Sequence, residues 1–338
     1  MAGERDLIVA LSRLFGPAPA GVTCGIGDDT AIMAPAAGSD LLWTIDSLME
    51  GVHFDLSYTP LTSLGWKALA VNLSDIAAMG GTPLYALLSL GWPPSRDLSQ
   101  ALELAAGLQD AARTYEVAII GGDTIATPAG LMLSLTVLGQ IPAGEALRRN
   151  GAQVGDGIYV TGPLGLAAAG LEMFRAGLAL PEAERLAVAT ALLRPRPQLA
   201  AGQLLAKHRL ATAAIDLSDG VASDLAQICR QSGVGAVLTA VPYPPAVQAV
   251  AEKRGIDPLH LALEGGEDYQ LLFTVSPHRE PELLAAFAAA GLPAPHHIGE
   301  IVRGNHIRLR LAGEERRLSD SGYDHFPQAT LPPGGGAP

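Results

Sequence analysis

The sequence has few cysteines, few lysines and few aromatic residues. Its two cysteines, Cys24 and Cys229, lie far apart in a chain of 338 residues, which excludes a disulfide framework and a cysteine metal motif. The three lysines, Lys67, Lys207 and Lys253, form no basic cluster, and the formal net charge is -12. Clustered Lys and Arg are what bind a phosphate backbone, so we expect no nucleic-acid partner.

Long apolar runs are also absent. No uninterrupted apolar stretch reaches the roughly 18 residues that a membrane-spanning helix needs. Near the N-terminus, Glu4, Arg5 and Asp6 interrupt the apolar core that a signal peptide would require. We therefore expect no membrane association and a cytoplasmic protein with reduced thiols.

The residues that are present predict an α/β chain. The hydrophobic fraction is 49%, and this length suits two domains better than one. Short apolar runs bounded by turn residues alternate with helical patterns. The predicted strands are 41–46, 117–120, 131–137, 157–161, 211–216, 270–275 and 306–311, and the predicted helices are 62–79, 99–115, 164–177, 182–193, 197–207, 219–231 and 281–290.

A segment rich in Gly, Pro and charge, residues 141–156, separates two strand-rich halves. It predicts an N-terminal domain over 1–145 and a C-terminal domain over 146–330. The tail 331–338 (LPPGGGAP) has almost nothing to bury, so we expect it to be disordered.

Aspartates stand in unusually apolar surroundings. The seven aspartates are Asp28, Asp29, Asp46, Asp75, Asp123, Asp216 and Asp219. All but one flank a strand-like run or sit in a Gly/Ser turn beside one. Asp75 is the exception, in a predicted helix where it shares a face with Asn72 and Met79. Each alone could be a helix cap or a turn residue. Together they favour a site for a hard cation such as Mg²⁺, which takes oxygen ligands from carboxylates and substrate phosphates.

Such a cluster suits an enzyme that brings two phosphate groups together. Two unit negative charges about 4 Å apart repel by roughly 4 kcal/mol at an effective dielectric near 20. Carboxylates alone would add to this repulsion, so they help only by holding cations between themselves and the phosphates. The sequence has neither a P-loop motif nor the protein-kinase motifs.

Three further features each have two interpretations. The turn Gly162–Gly165 follows a strand and opens a helix, which suits either a structural turn or a phosphate cradle. Arg148 and Arg149, in the interdomain segment, could contact an ATP phosphate or be solvated. His53, seven residues after Asp46, could be structural or part of a site.

Seven motifs in order resemble the thiamine-monophosphate kinase family, within the aminoimidazole ribonucleotide synthetase-like superfamily. They span most of residues 4–326 and are GIGDDTAIM (25–33), TIDSLMEGVHF (44–54), KALAVNLSDIAAMGGTP (67–83), GGDT (121–124), AIDLSDG (214–220), GGEDYQLLF (265–273) and GYDHF (322–326). The resemblance implies two α/β domains. The N-terminal domain would form a homodimer across a barrel-like sheet and carry the ATP and metal groove, which the C-terminal domain completes.

The resemblance also implies residue roles and a reaction. Ile45 would offer only its backbone. The implied metal ligands are Asp29, Thr44, Ile45, Asp46, Asp75, Asp123, Asp216 and Asp219, the ATP-binding residues are Gly122, Asp123, Arg149 and Ser218, and the substrate-binding residues are His53, Glu267 and Tyr323. ATP and thiamine monophosphate would give ADP and thiamine diphosphate by direct in-line transfer with several Mg²⁺ ions. A phosphate monoester is largely ionised near neutral pH, so no catalytic base is assigned.

Two alternatives remain open. The first is another ATP-dependent synthetase of the same superfamily. Cys24 has no nearby lysine, however, and the chain ends in GGGAP rather than in cysteine. The second is a non-catalytic regulator that binds ATP and metal, which the retained acidic residues argue against.

Overall fold

Two large helix-covered β-sheets and one small two-stranded sheet form the described part of the chain. The structure is a computed structural model, and it describes residues 4–17, 19–24, 32–33 and 35–319. The first half contains α1 (Glu4–Phe15), β1 (Val22–Cys24), β2 (Ile32–Met33), β3 (Ser39–Met49), α2 (Leu61–Ala78), β4 (Thr82–Trp92), α3 (Leu98–Thr114), β5 (Ala118–Ala126) and β6 (Met132–Pro142). The second half contains β7 (Gly157–Val160), α4 (Leu166–Ala176), α5 (Glu182–Leu193), α6 (Leu199–Lys207), β8 (Ala213–Asp216), α7 (Val221–Ser232), β9 (Gly235–Leu238), α8 (Pro245–Arg254), α9 (Pro258–Leu263), β10 (Leu271–Val275), a 3₁₀ turn (Pro277–Arg279), α10 (Glu280–Ala289), β11 (His296–Val302), β12 (Ile307–Leu311) and β13 (Glu314–Leu318).

The α/β fold class and all of the predicted helices and strands are confirmed. The strand predicted over 41–46 is longer, because β3 stays paired with β6 from Ser39 to Met49. Asp46 therefore lies inside a strand rather than at its end. Helix α3 begins after the N-cap Asp97, which forms a capping box with Gln100.

The first half is built on a four-stranded sheet in the order β3-β6-β4-β5. Its strands are antiparallel neighbours except for the parallel pair β4 and β5. One face is covered by α2, whose residues are almost all buried. At Gly65, where α2 crosses α3, a Cβ would lie 2.0 Å from the Leu104 carbonyl oxygen, so only glycine permits this close crossing.

The second half has a seven-stranded sheet in the order β13-β12-β9-β11-β7-β10-β8. Strand β8 is the edge strand, and it is also in contact with α2 of the first half. One apolar core continues across this junction, since it includes Leu73 and Ile76 of α2 together with Ala214 of β8. The shared core places the end of β8 beside the middle of α2.

Within the part of the chain that the structure describes, every helix is too short or too polar to cross a lipid bilayer. The domain boundary near residue 145 stays a prediction. The tail predicted to be disordered, 331–338, lies outside the described residues.

Candidate active site

A cleft of about 1200 Å³ lies between the two halves. Its walls come from β3 and the loop that follows, from α2 and α4, and from two loops of the second half. The predicted site residues that line it are Ile45, Asp46, His53, Asp75, Asp216, Ser218, Asp219 and Glu267.

Strand β3 presents two different faces. Leu42 and Leu48 are buried, whereas Trp43 and Ile45 are 63% and 65% exposed. Side chains alternate along a strand, so Asp46 shares the covered face with the two leucines. The Ile45 side chain is on the other face, so only the backbone of Ile45 can contribute to a site beside Asp46.

Two polar side chains of α2, three residues apart in the helix, contact this strand. The backbone N–H of Asp46 donates to Asn72 Oδ1 at 3.1 Å, and the Thr44 hydroxyl donates to Asp75 Oδ2. Residues three apart share a helix face, which agrees with the face predicted for Asn72 and Asp75. The contacts fix Thr44, Asp46 and Asp75 as one group.

Asp216 joins this group from the other half of the molecule. It ends β8 and is 3% exposed, and its Oδ2 accepts a hydrogen bond from Ser74 Oγ at 2.8 Å. Ser74 directly precedes Asp75 on α2, so the carboxylate of Asp216 lies beside the turn of α2 that carries Asp75.

These carboxylates affect one another's ionisation. Burial, followed by the charges of Asp75 and Asp219, raises the pKa of Asp46 to about 6. Burial and then the charge of Asp75 raise the pKa of Asp216, against the opposing effects of Ser74 and Arg149. The pKa of Asp75 is also raised, mainly by burial, although Thr44 and Arg149 oppose the shift. The group therefore favours protonation or a nearby cation.

Ser218 and Asp219 follow β8 in the turn before α7. Gly220 rather than Asp219 is the N-cap of α7, and the backbone N–H of Asp219 donates to Asp224 Oδ2 at 3.2 Å. Asp219 is thus not the capping residue of this helix, and its side chain lines the cleft.

His53 and Glu267 lie on the same cleft. The Nδ1 atom of His53 accepts a hydrogen bond from the Met49 backbone N–H at 3.1 Å. Glu267 Oε1 lies 2.7 Å from Lys67 Nζ of α2. Two of the three residues predicted to bind substrate therefore line the cleft that also contains the carboxylates.

Gly122 and Asp123 are placed elsewhere, on β5 at the far edge of the first sheet. Asp123 is exposed, and it pairs with Ser89, which in turn pairs with Ser134. The Ser134 hydroxyl accepts from Ser47 Oγ at 2.9 Å on the open face of the sheet, the face opposite Asp46. Three strand spacings separate the rows, about 14 Å, so one copy of the chain does not bring Asp123 to Asp46.

The remaining predicted residues have different outcomes. Arg149 is close enough to affect the pKa values of Asp75 and Asp216. Asp29 and Tyr323 lie outside the described residues. Among the described residues, no three His, Cys, Asp or Glu side chains are close enough together to hold a metal ion by themselves.

The Gly162–Gly165 turn is not a free phosphate cradle. Gly165 is the N-cap of α4, and its backbone N–H donates to Asp268 Oδ2 at 2.6 Å. The Ala167 N–H points to the other oxygen of Asp268 at 3.4 Å. The chain's own carboxylate occupies this helix N-terminus, which supports the structural interpretation.

Sequence reasoning missed Lys67 and Tyr58. Lys67 is a lone cation in a nearly apolar helix, and this pattern could have identified a buried ion pair. Tyr58 lines the cleft and stacks on Phe174 of α4 with ring centroids 4.9 Å apart. No sequence signal pairs these two rings, because they belong to different halves.

Comparisons with known proteins identify the relatives of this chain. Residues 27–141 match the family model of AIR synthase related protein, N-terminal domain, and residues 153–312 match its C-terminal domain. Thiamine-monophosphate kinase of Synechococcus elongatus is 38% identical over 330 residues, which cover 96% of each chain.

Two solved structures are similar over nearly the whole chain. Thiamine-monophosphate kinase from Stenotrophomonas maltophilia K279a has a TM-score of 0.79 and 36% identity, covering 91% of this chain and 95% of that one. AaThiL complexed with AMPPCP and TMP has a TM-score of 0.75 and 32% identity, covering 96% and 97%.

Proposed function

This chain belongs to the thiamine-monophosphate kinase family, and we propose that it transfers the γ-phosphoryl group of ATP to thiamine monophosphate. The products are ADP and thiamine diphosphate. A bond forms between a phosphate oxygen of thiamine monophosphate and the γ-phosphorus, and the bond from that phosphorus to the β–γ bridging oxygen breaks. The relative crystallised with AMPPCP and TMP supports both substrates.

The observation that carries the proposal is the group of carboxylates at the cleft. Asp46 and Asp75 come from the first half and Asp216 from the second, and the pKa of each is raised. Anions that are already desolvated and repelling one another cannot accept two phosphate esters nearby without compensation. A compensating positive charge is therefore part of the function.

The donor set fits Mg²⁺. Hard carboxylate oxygens are the side-chain ligands that Mg²⁺ takes, usually one or two at a time, with waters and substrate phosphates completing the shell. Asp46, Asp75, Asp216 and Asp219 would hold the ions, and bound Mg²⁺ supplies charge neutralisation and alignment of the two phosphates.

The remaining residues orient the substrates. Ser218 and Arg149 are proposed to contact the ATP phosphates, because the first lines the cleft and the second acts on Asp75 and Asp216. His53 and Glu267 face the acceptor. No residue is assigned as a general base, so positioning and charge provide the rate enhancement.

One assay tests the proposal. Purified protein is incubated with ATP, thiamine monophosphate and Mg²⁺, and thiamine diphosphate is separated by chromatography. We expect product with Mg²⁺ and none after chelation by EDTA. ATP binding without product would favour a regulator. ATP consumption that requires an acceptor other than thiamine monophosphate would favour another synthetase.

We also propose that the protein is a homodimer whose sites need both copies. Trp43, Ile45, Leu87 and Ile125 form an exposed apolar patch on the open face of the first sheet, and such a patch on a sheet marks an interface. Strands β3 and β5 are the two edges of this sheet. A second copy that closes the sheet would place the partner subunit's Asp123 near β3, the edge strand that carries Asp46.

Mixed dimers test this arrangement. Asp46→Asn and Asp123→Asn should each be inactive as homodimers. After the two variants are mixed by co-expression, up to about a quarter of wild-type activity should return, because half of the dimers are mixed and each has one intact site. If each site were built from one subunit alone, both sites of a mixed dimer would carry one substitution. An inactive mixture would therefore contradict the shared site.

A further inference from the structure

Lys67 is an unusual residue in its setting. It lies on α2 among residues that are almost all buried, and its side chain is only 3% exposed. An ammonium group withdrawn from water is costly unless an anion compensates it. The compensating anion is Glu267, with Nζ and Oε1 2.7 Å apart.

Glu267 lies in a loop with a constrained backbone. Its φ is 68° and that of Tyr269 is 47°, values that side-chain-bearing residues rarely adopt. Two backbone hydrogen bonds hold the loop, from Glu267 N–H to the Ser218 carbonyl and from Tyr269 N–H to the Leu217 carbonyl, both 2.8 Å. These bonds fix the main chain of the loop without involving the carboxylate of Glu267.

The Glu267 carboxylate shares one cleft with the carboxylates of Asp46, Asp75 and Asp216. The Glu267 side chain is 27% exposed, so it can also turn toward solvent. Lys67 supplies the opposing charge that keeps this carboxylate turned inward.

We propose that Lys67 is a positioning residue for the acceptor: its buried ammonium holds the Glu267 carboxylate at the cleft, so that Glu267 can orient thiamine monophosphate. This role rests on the proposed kinase function. Because backbone bonds hold the neighbouring segment at Ser218, the role of Lys67 is confined to the acceptor side and leaves the nucleotide side unchanged.

Steady-state kinetics of Lys67→Met provide the test, with Lys207→Met as the control because Lys207 is exposed at the end of α6. We expect the KM for thiamine monophosphate to rise about 10- to 100-fold, the range for a lost charged hydrogen bond. The KM for ATP should stay within about twofold. Lys67→Arg, which keeps the charge, should restore much of the acceptor KM.

The double variant separates positioning from folding. If Lys67 acts through Glu267, Lys67→Met should change the acceptor KM little in a Glu267→Gln background, and it should also be less destabilising there, because no unpaired carboxylate remains. KM does not depend on the fraction of folded enzyme, so a purely structural role would leave it unchanged.

Each outcome decides a different claim. An unchanged acceptor KM in Lys67→Met, or effects of the two substitutions that simply add, would overturn the role of Lys67 while the kinase function stands. A wild-type enzyme that makes no thiamine diphosphate would overturn the kinase function and this inference with it.

Discussion

Replacement of Asp46 by asparagine should stabilise the metal-free protein while it removes activity. Asparagine has the same shape, and the backbone bond from residue 46 to Asn72 does not involve the substituted side chain. What changes is the charge, which burial and the neighbours Asp75 and Asp219 make unfavourable. The substitution therefore separates stability from function.

The expected gain follows from the raised pKa of Asp46. The difference between about 6 and the ordinary 3.8 corresponds to about 3 kcal/mol at about 1.4 kcal/mol per pKa unit. Part of the side chain meets solvent, which screens the effect, so we expect about 1 to 2 kcal/mol at pH 8. A carboxyl group with a raised pKa makes the folded protein less stable as the pH rises from about 4 to 6. The stability gained by Asp46→Asn should therefore disappear below about pH 4.

Urea unfolding in EDTA at pH 8 and pH 4 measures this gain. Turnover with Mg²⁺ should fall by about 100-fold or more, the usual loss for one preorganised electrostatic group. Glu103→Gln, an exposed carboxylate on α3, is the control and should change neither quantity. An Asp46→Asn protein that is less stable at pH 8, or that keeps full activity, would refute the reasoning.

Three further predictions concern other parts of the molecule. Asp268→Ala removes the acceptor for the Gly165 N–H and should lower the free energy of urea unfolding by about 1 to 2 kcal/mol; no change would contradict this capping role. The folded-state pKa of Asp224 is raised to about 8, mainly by burial, so this group should cost about 1.4 kcal/mol per pH unit between about pH 5 and 7. Asp224→Asn should remove that slope, and parallel unfolding profiles would count against it. The double variant Trp43→Glu with Ile45→Glu should be monomeric by light scattering, whereas an intact dimer would place the interface elsewhere.

Most of the described helices were predictable because their apolar spacing is local, but six of the thirteen described strands were not predicted: β1, β2, β4, β9, β11 and β13. The length of β3 was not predicted either, for a physical reason. Trp43 and Ile45 are apolar although they are exposed, so β3 lacks the clean alternation that shows one covered face. The prediction consequently ended at Asp46, where the apolar run ends, and missed the continued pairing to Met49.

The candidate site was predictable in its residue types and only partly in its geometry. The shared face of Asn72 and Asp75 follows from helical spacing, and the structure uses it. The bond from Ser74 to Asp216 joins residues 142 positions apart, and no local pattern encodes such a contact. Asp123 shares a motif-based assignment with the other acids, yet strand order and side-chain alternation place it on the opposite face.

The central claim is that the cleft carboxylates hold divalent cations that let two phosphates approach each other. Its most direct test is a crystal grown with Mn²⁺, a non-hydrolysable ATP analogue and thiamine monophosphate, with anomalous scattering used to locate the metal. We predict peaks between the phosphates and the side chains of Asp46, Asp75 and Asp216. Both ligands bound in the cleft, with no anomalous peak beside these aspartates, would contradict the account.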